Sequence, residues 1–110
     1  MITDLQQEVL DHLKYDIEID KDGDKRWRLN GQLHRDNGPA IIFADGTQEW
    51  YRNDKLHRED GPAVIHLSGT QRWYRNGELH REDGPAVIHS NGTRYWYRNG
   101  LWNGEFINDY

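Results

Sequence analysis

The chain has 110 residues; its hydrophobic fraction of 35% falls short of the roughly 45–50% of ordinary domains, charged residues reach 30% and mean hydropathy is −1.09. Those values alone would fit disorder, but five Trp and six Tyr do not, so the composition points to one thin, ordered, highly solvated domain without Cys and therefore without disulfides or thiolate metal sites. The net charge of −5 is uneven: residues 1–24 carry eight acids and two Lys, residues 25–110 eleven acids and twelve Lys or Arg, a balance that gives little steering toward nucleic acid or anionic lipid.

The first residues, Met1-Ile2-Thr3-Asp4, show neither a basic n-region nor an apolar h-region, and no apolar run is long enough to span a bilayer, so a cytoplasmic protein is expected. Thr3-x-x-Gln6 fits a capping box, and Leu5, Val9 and Leu13, with Leu10 beside them, make one apolar stripe on a helix over about 4–14. A row of hairpins has a bare first edge. The N-terminal segment 1–14 is expected to cap that edge or to pack on one face near it.

A repeat fills residues 15–106. Trp27, Trp50, Trp73 and Trp96 recur at one constant interval, and Asn30, Asn53, Asn76 and Asn99 recur at the same one. Gly31, Gly77 and Gly100 share a column in which Asp54 replaces one Gly, and the columns His34/His57/His80 and Arg35/Arg58/Arg81 lead into Gly-Pro-Ala at 38–40, 61–63 and 84–86. Three units are complete (27–49, 50–72, 73–95), a fourth is partial (96–106), and 107–110 form a tail. Gly23 lies one repeat interval before Gly46, so Tyr15–Asp20 reads as the last strand of a degenerate preceding unit.

Within a unit, Arg75-Asn76-Gly77-Glu78 is the signature of a type I′ hairpin, because both central positions need positive φ. A two-residue loop sets Arg75 opposite Glu78, Tyr74 opposite Leu79 and Trp73 opposite His80, with Arg75–Glu78 a candidate cross-strand ion pair. Alternation then puts the Trp and His columns on one face and the Tyr and Leu columns on the other. Proline donates no hydrogen bond, so a bend or bulge is expected at Gly-Pro. The expected fold is mostly β: an elongated antiparallel sheet of tandem 23-residue β-hairpin repeats with one N-terminal capping α-helix.

The unit W-Y-R-N-G-E-L-H-R-E-D-G-P-A-V-I-H-x-x-G-T, starting at Trp73, resembles the MORN repeat class in a variant form. Trp73, Tyr74, Asn76, Gly77, Gly84 and Gly92 match its frame. Arg81 stands where the standard repeat has a glycine, and Gly-Pro-Ala is a second departure. The resemblance implies an elongated sheet of successive hairpins. Proteins with such repeats serve in scaffolding, membrane tethering and protein binding, and some bacterial members are antitoxins. The Leu-His-Arg-Glu-Asp-Gly-Pro-Ala form looks most like short proteins of bacteriophages and large DNA viruses, which would place this one in a host cytoplasm.

Sharp site readings fare poorly against the repeat. His34, His57 and His80 invite a metal, but equivalent positions in successive two-strand units lie roughly 9–10 Å apart, too far to share an ion whose ligands sit about 2 Å away. A Trp–His contact, with the imidazole able to become cationic over the ring, is the expected role of these histidines. Glu18-x-Asp20-x-Asp22-Gly23-Asp24 resembles the start of an EF-hand loop, but Leu29 stands at the twelfth position. No metal or other cofactor is expected. Acids and histidines recurring once per unit read as architecture rather than an active site, so no enzyme is expected. The remaining class is protein binding, for which Trp, Tyr and Arg are the dominant contact residues: Trp50, Trp73, Trp96, Tyr51, Tyr74, Tyr97, Arg52, Arg75 and Arg98. The partner is expected to be another protein, in the sharpest version a host factor neutralised by a phage-type inhibitor or antitoxin-like chain. The alternative is a structural or scaffolding repeat protein that self-associates, and nucleic-acid or lipid tethering comes third; the chain is expected to be a monomer or an edge-paired homodimer.

Overall fold

A computed structural model describes residues 1–107; the expected tail 107–110 lies outside them save for Ile107. The chain runs α1 (Asp4–Lys14), β1 (Asp16–Ile19), β2 (Lys25–Leu29), β3 (Gln32–Leu33), β4 (Ile41–Ile42), β5 (Gln48–Glu49), β6 (Tyr51–Arg52), β7 (Lys55–Leu56), β8 (Val64–Ile65), β9 (Gln71–Arg72), β10 (Tyr74–Arg75), β11 (Glu78–Leu79), β12 (Val87–Ile88), β13 (Arg94–Arg98) and β14 (Leu101–Phe106). An antiparallel sheet in the order β1-β2-β4-β5-β8-β9-β12-β13-β14, with β3 on β2, forms the body, and β6–β7 and β10–β11 are separate two-stranded ribbons. The molecule is elongated, 46 × 30 × 26 Å.

The hairpin register is the expected one: Tyr74 opposes Leu79 and Arg75 opposes Glu78, with Tyr51–Leu56 and Arg52–Lys55 in the unit before. Asn30, Asn53, Asn76 and Asn99 sit at φ of 50–52°, each followed by a second positive-φ residue, as a type I′ turn demands. Asp54 takes φ 67° in the Gly column and answers the strain with its side chain, which accepts from the Leu33 amide at 2.7 Å. Its own amide donates to the Leu33 carbonyl, the bond that Gly77 makes to Leu56 and Gly100 to Leu79. Through these bonds each turn is tied to the ribbon of the preceding unit.

The break at Gly-Pro is present, and it is what separates ribbons from sheet. Trp50 and Trp73 donate their amides to Ala63 and Ala86 at 2.7 Å, and accept from His57 and His80 at 3.0 Å. The buried spine is made of small residues. Ala40, Ala63 and Ala86 are 0% exposed, flanked by Ile41, Val64 and Val87, by Thr47, Thr70 and Thr93, and by the three histidines. Thr47 and Thr70 accept from the amides of Leu67 and Ser90 in the following unit. Asp24, in the same column, accepts from Ala44, so the degenerate unit before residue 27 makes the same link.

Helix α1 has the expected span and both bonds of its capping box, Thr3 with Gln6. Its orientation departs from the usual amphipathic arrangement. Leu5, Val9 and Leu13 are 70%, 54% and 80% exposed, and the buried helical residue is Asp11. Asp11 stands two residues from Val9, about 200° round the helix. The helix therefore docks by its polar face and turns its apolar stripe to solvent.

The far end also departs from the repeat. Ile88 pairs back across a long return to Gln71, whereas Phe106 pairs back to Arg94 across a shorter one. The last return is shortened because Asn103 and Gly104 stand in the His and Arg columns, and β14 runs straight along β13 through one bulge.

Candidate binding grooves

Each complete unit builds an arm from one arginine. Arg35, Arg58 and Arg81 lay their guanidinium groups over Trp27, Trp50 and Trp73, with Cζ 3.9–4.0 Å from the ring centroids. Each also donates through Nη1 to the carbonyl of Pro39, Pro62 or Pro85 at 3.1–3.2 Å. A Cβ on Gly38, Gly61 or Gly84 would lie 2.8–3.0 Å from that guanidinium, which is why glycine precedes each proline. The cation over Trp27, Trp50 and Trp73 is thus Arg, joined at Trp27 by Lys25 at 4.9 Å, and the Trp–His ring contact expected from sequence gives way to it.

The histidines have another task. The His34, His57 and His80 Nδ1 atoms accept the backbone amides of Asn53, Asn76 and Asn99, in the turn of the next unit, at 3.2, 2.9 and 2.9 Å. An Nδ1 that accepts carries no proton, so Nε2–H is left to donate to Asp36, Glu59 or Glu82 at 2.6–2.8 Å. The histidine donor is the main cause that holds the Glu59 and Glu82 carboxyls below the usual range; nearby arginines add to it. Arg75 finds Glu82 at 3.9 Å, and this ion pair takes the place of the expected one with Glu78.

Between successive arms lie two grooves of 640 and 610 Å³. The first runs between the Arg35–Pro39 arm and Trp50, Tyr51, Arg52 and Arg58; the second is lined by the same columns of the next unit. Burial pushes the Tyr51 hydroxyl well above its ordinary pKa, helped by its bond to Glu49 at 2.8 Å. Arg52 and Arg75 reach the groove mouths with side chains 49% and 45% exposed.

At the equivalent place beside Trp27 the end of α1 and Tyr15 meet the arm residues. Lys14 meets Asp36 at 2.6 Å, Tyr15 and Asp36 exchange hydrogen bonds, and Asp11 meets Arg35 at 3.3 Å. Lys14, followed by His34, holds the Asp36 carboxyl down. Trp27 is 3% exposed, whereas Trp50 and Trp73 are half-buried. The exchange coincides with one substitution in the repeat. Asp60 and Asp83 bond the Nε of Arg58 and Arg81 at 3.2 and 3.1 Å, but Asn37 stands in their column, so Arg35 takes its carboxylate from the helix and its Nε stays unbonded.

Of the nine residues singled out from sequence, Trp50, Tyr51, Arg52, Trp73, Tyr74 and Arg75 meet in the grooves. Trp96, Tyr97 and Arg98 lie on β13, and Arg98 donates to the Glu82 carbonyl at 3.2 Å. The arm arginines and the acids beside them were missed; the signal was an Arg recurring at 35, 58 and 81 and followed three residues later by Gly-Pro. The EF-hand-like acids form a closed turn, in which Asp20 accepts from the amides of Asp22 and Asp24 and from Arg26. Among the described residues no group of three or more His, Asp or Glu could hold a metal ion, and no helix is long and apolar enough to cross a membrane. The chain matches no family model, no curated protein and no solved structure.

Proposed function

We propose that the protein is a non-enzymatic binding module that covers part of another protein's surface with its two grooves. One observation supports this reading: the groove occurs twice in open form, and at the equivalent third place the end of α1 and Tyr15 bond Arg35 and Asp36, counterparts of groove-lining residues, beside a tryptophan that is 3% exposed. The walls are Trp, Tyr and Arg, the residue types that dominate protein interfaces. The arm arginines already hold Trp50 and Trp73 in place, so ordering those rings on binding costs little side-chain entropy. On the resemblance to variant MORN repeats, the sharpest form of this reading is a small phage-type inhibitor or antitoxin-like neutraliser that occludes a host factor.

Affinity capture from a bacterial lysate tests it. Arg52→Glu/Arg75→Glu reverses two exposed charges at the groove mouths and gives up their 3.8 and 3.9 Å pairs with Glu59 and Glu82, so far-UV circular dichroism checks its fold; Lys21→Glu, in the exposed turn before Gly23, is the control. Proteins held by the wild type and by Lys21→Glu are expected to be lost from the double variant. A folded double variant that retains every one of them would rule out the grooves as the contact surface.

A further inference from the structure

We infer that copies of this chain also join end to end, the apolar face of α1 in one copy packing on the β14 edge of the next. The large hydrophobics left exposed among the described residues collect at the two ends of the sheet. Six lie in residues 1–13 and four in 101–107, with only Ile19 and Leu67 between them. Stacked repeats bury each unit against its neighbours, and their outermost faces are ordinarily polar; an apolar end marks a contact surface.

Each end has a defined chemistry. On α1, Ile2, Leu5, Val9 and Leu10 border a shallow apolar hollow of 410 Å³, on the side of the helix away from the body. The acids Asp4 and Glu8 stand on the same helix, and residues 1–24 sum to −6 (eight acids, two Lys). At the other end β14 has one neighbour, β13. The pairings Arg94–Phe106 and Arg98–Leu101 put two arginines beside two exposed hydrophobics on one face of that edge.

Charge decides which ends meet. Helix against helix would juxtapose two acidic segments, and edge against edge two pairs of arginines. Helix against edge joins apolar to apolar and acid to base. Such a contact is heterologous, so it propagates as a row of copies, open or closed into a ring according to the rotation from one copy to the next. Each patch holds only a handful of apolar residues, against the roughly 20–30 residues a side of a standard stable interface, so the association is weak and concentration-dependent.

Sedimentation velocity with two single-end variants tests the pairing. Leu5 and Leu101 are 70% and 74% exposed, so Leu5→Glu and Leu101→Glu leave the spine intact; far-UV circular dichroism checks this, with Val9→Glu and Phe106→Glu as a second pair. The wild type is expected to grow in mass with concentration, and each variant alone to stay monomeric. An equimolar mixture of the two variants retains one intact helix face and one intact edge, and is expected to give a dimer and nothing larger. A wild type that stays monomeric into the millimolar range, a single variant that associates as the wild type does, or a mixture that stays monomeric while the wild type associates would each overturn the inference. The groove variant Arg52→Glu/Arg75→Glu leaves both ends intact, so it is expected to associate normally, and the two readings fail separately.

Discussion

Replacing Gly84 by Ala puts a methyl 2.8 Å from Arg81 Cζ at a backbone position that is not left-handed. The guanidinium has to shift, which weakens its contacts with the Trp73 ring and the Pro85 carbonyl; losing both outright would cost about 2–4 kcal/mol, and the expected loss is a part of that, about 1–2 kcal/mol, because the flexible side chain can adjust. The penalty is expected to vanish in an Arg81→Ala background; denaturant titrations of the four chains in that cycle measure it, and an undiminished penalty would show that the glycine serves the backbone alone. Acid acts on the neighbouring column. Glu59 and Glu82 have folded-state carboxyls below the usual range. The stability they contribute is therefore complete above the ordinary glutamate value of about 4.3, and is lost as pH falls through the lower folded value. Glu59→Gln/Glu82→Gln is expected to flatten the dependence of the unfolding midpoint on pH below 5; parallel curves for variant and wild type would contradict it.

At the scale of elements, α1 is held by an exchange of partners. Asp11→Ala leaves Arg35, 16% exposed, without its carboxylate, and we expect a loss of about 2 kcal/mol. Adding Asn37→Asp gives Arg35 the carboxylate that Asp60 and Asp83 give its counterparts, and is expected to recover most of that loss; strictly additive effects in thermal unfolding would refute the exchange. The helix also shows the limits of pattern. Thr3, Gln6 and the stripe Leu5-Val9-Leu13 fix its span, because capping and periodicity are local. Periodicity reveals that a stripe exists and is silent on what it faces. What it faces depends on residues far along the chain from the helix: Asp11 bonds Arg35, whose unit carries Asn37 in place of the Asp. The Asn-Gly turns and the hairpin registers were legible for the same local reason. The arms were not, since Arg81 meets Trp73 and Pro85 only after the chain has doubled back, and no propensity encodes that encounter.

Across the whole molecule, contacts recur at one interval: the arm, the histidine link to the next turn, the threonine link to the next return, and the groove between arms. The repeat was visible in sequence because every link uses a fixed column. Its spine was less visible, because Ala, Thr and His do not announce a core as Leu or Phe would. If the unit is the true element of construction, removing residues 50–72 joins Glu49 to Trp73 and restores each link with shifted partners: His34 to the Asn76 amide, Leu33 to Gly77, Thr47 to Ser90. Circular dichroism and a urea unfolding curve of this one-unit deletion are the most direct measurement. A cooperatively folded chain with β-sheet spectrum, somewhat less stable for the loss of one interface, is the expected result. An unfolded or molten product would contradict the modular construction on which the grooves and their spacing depend.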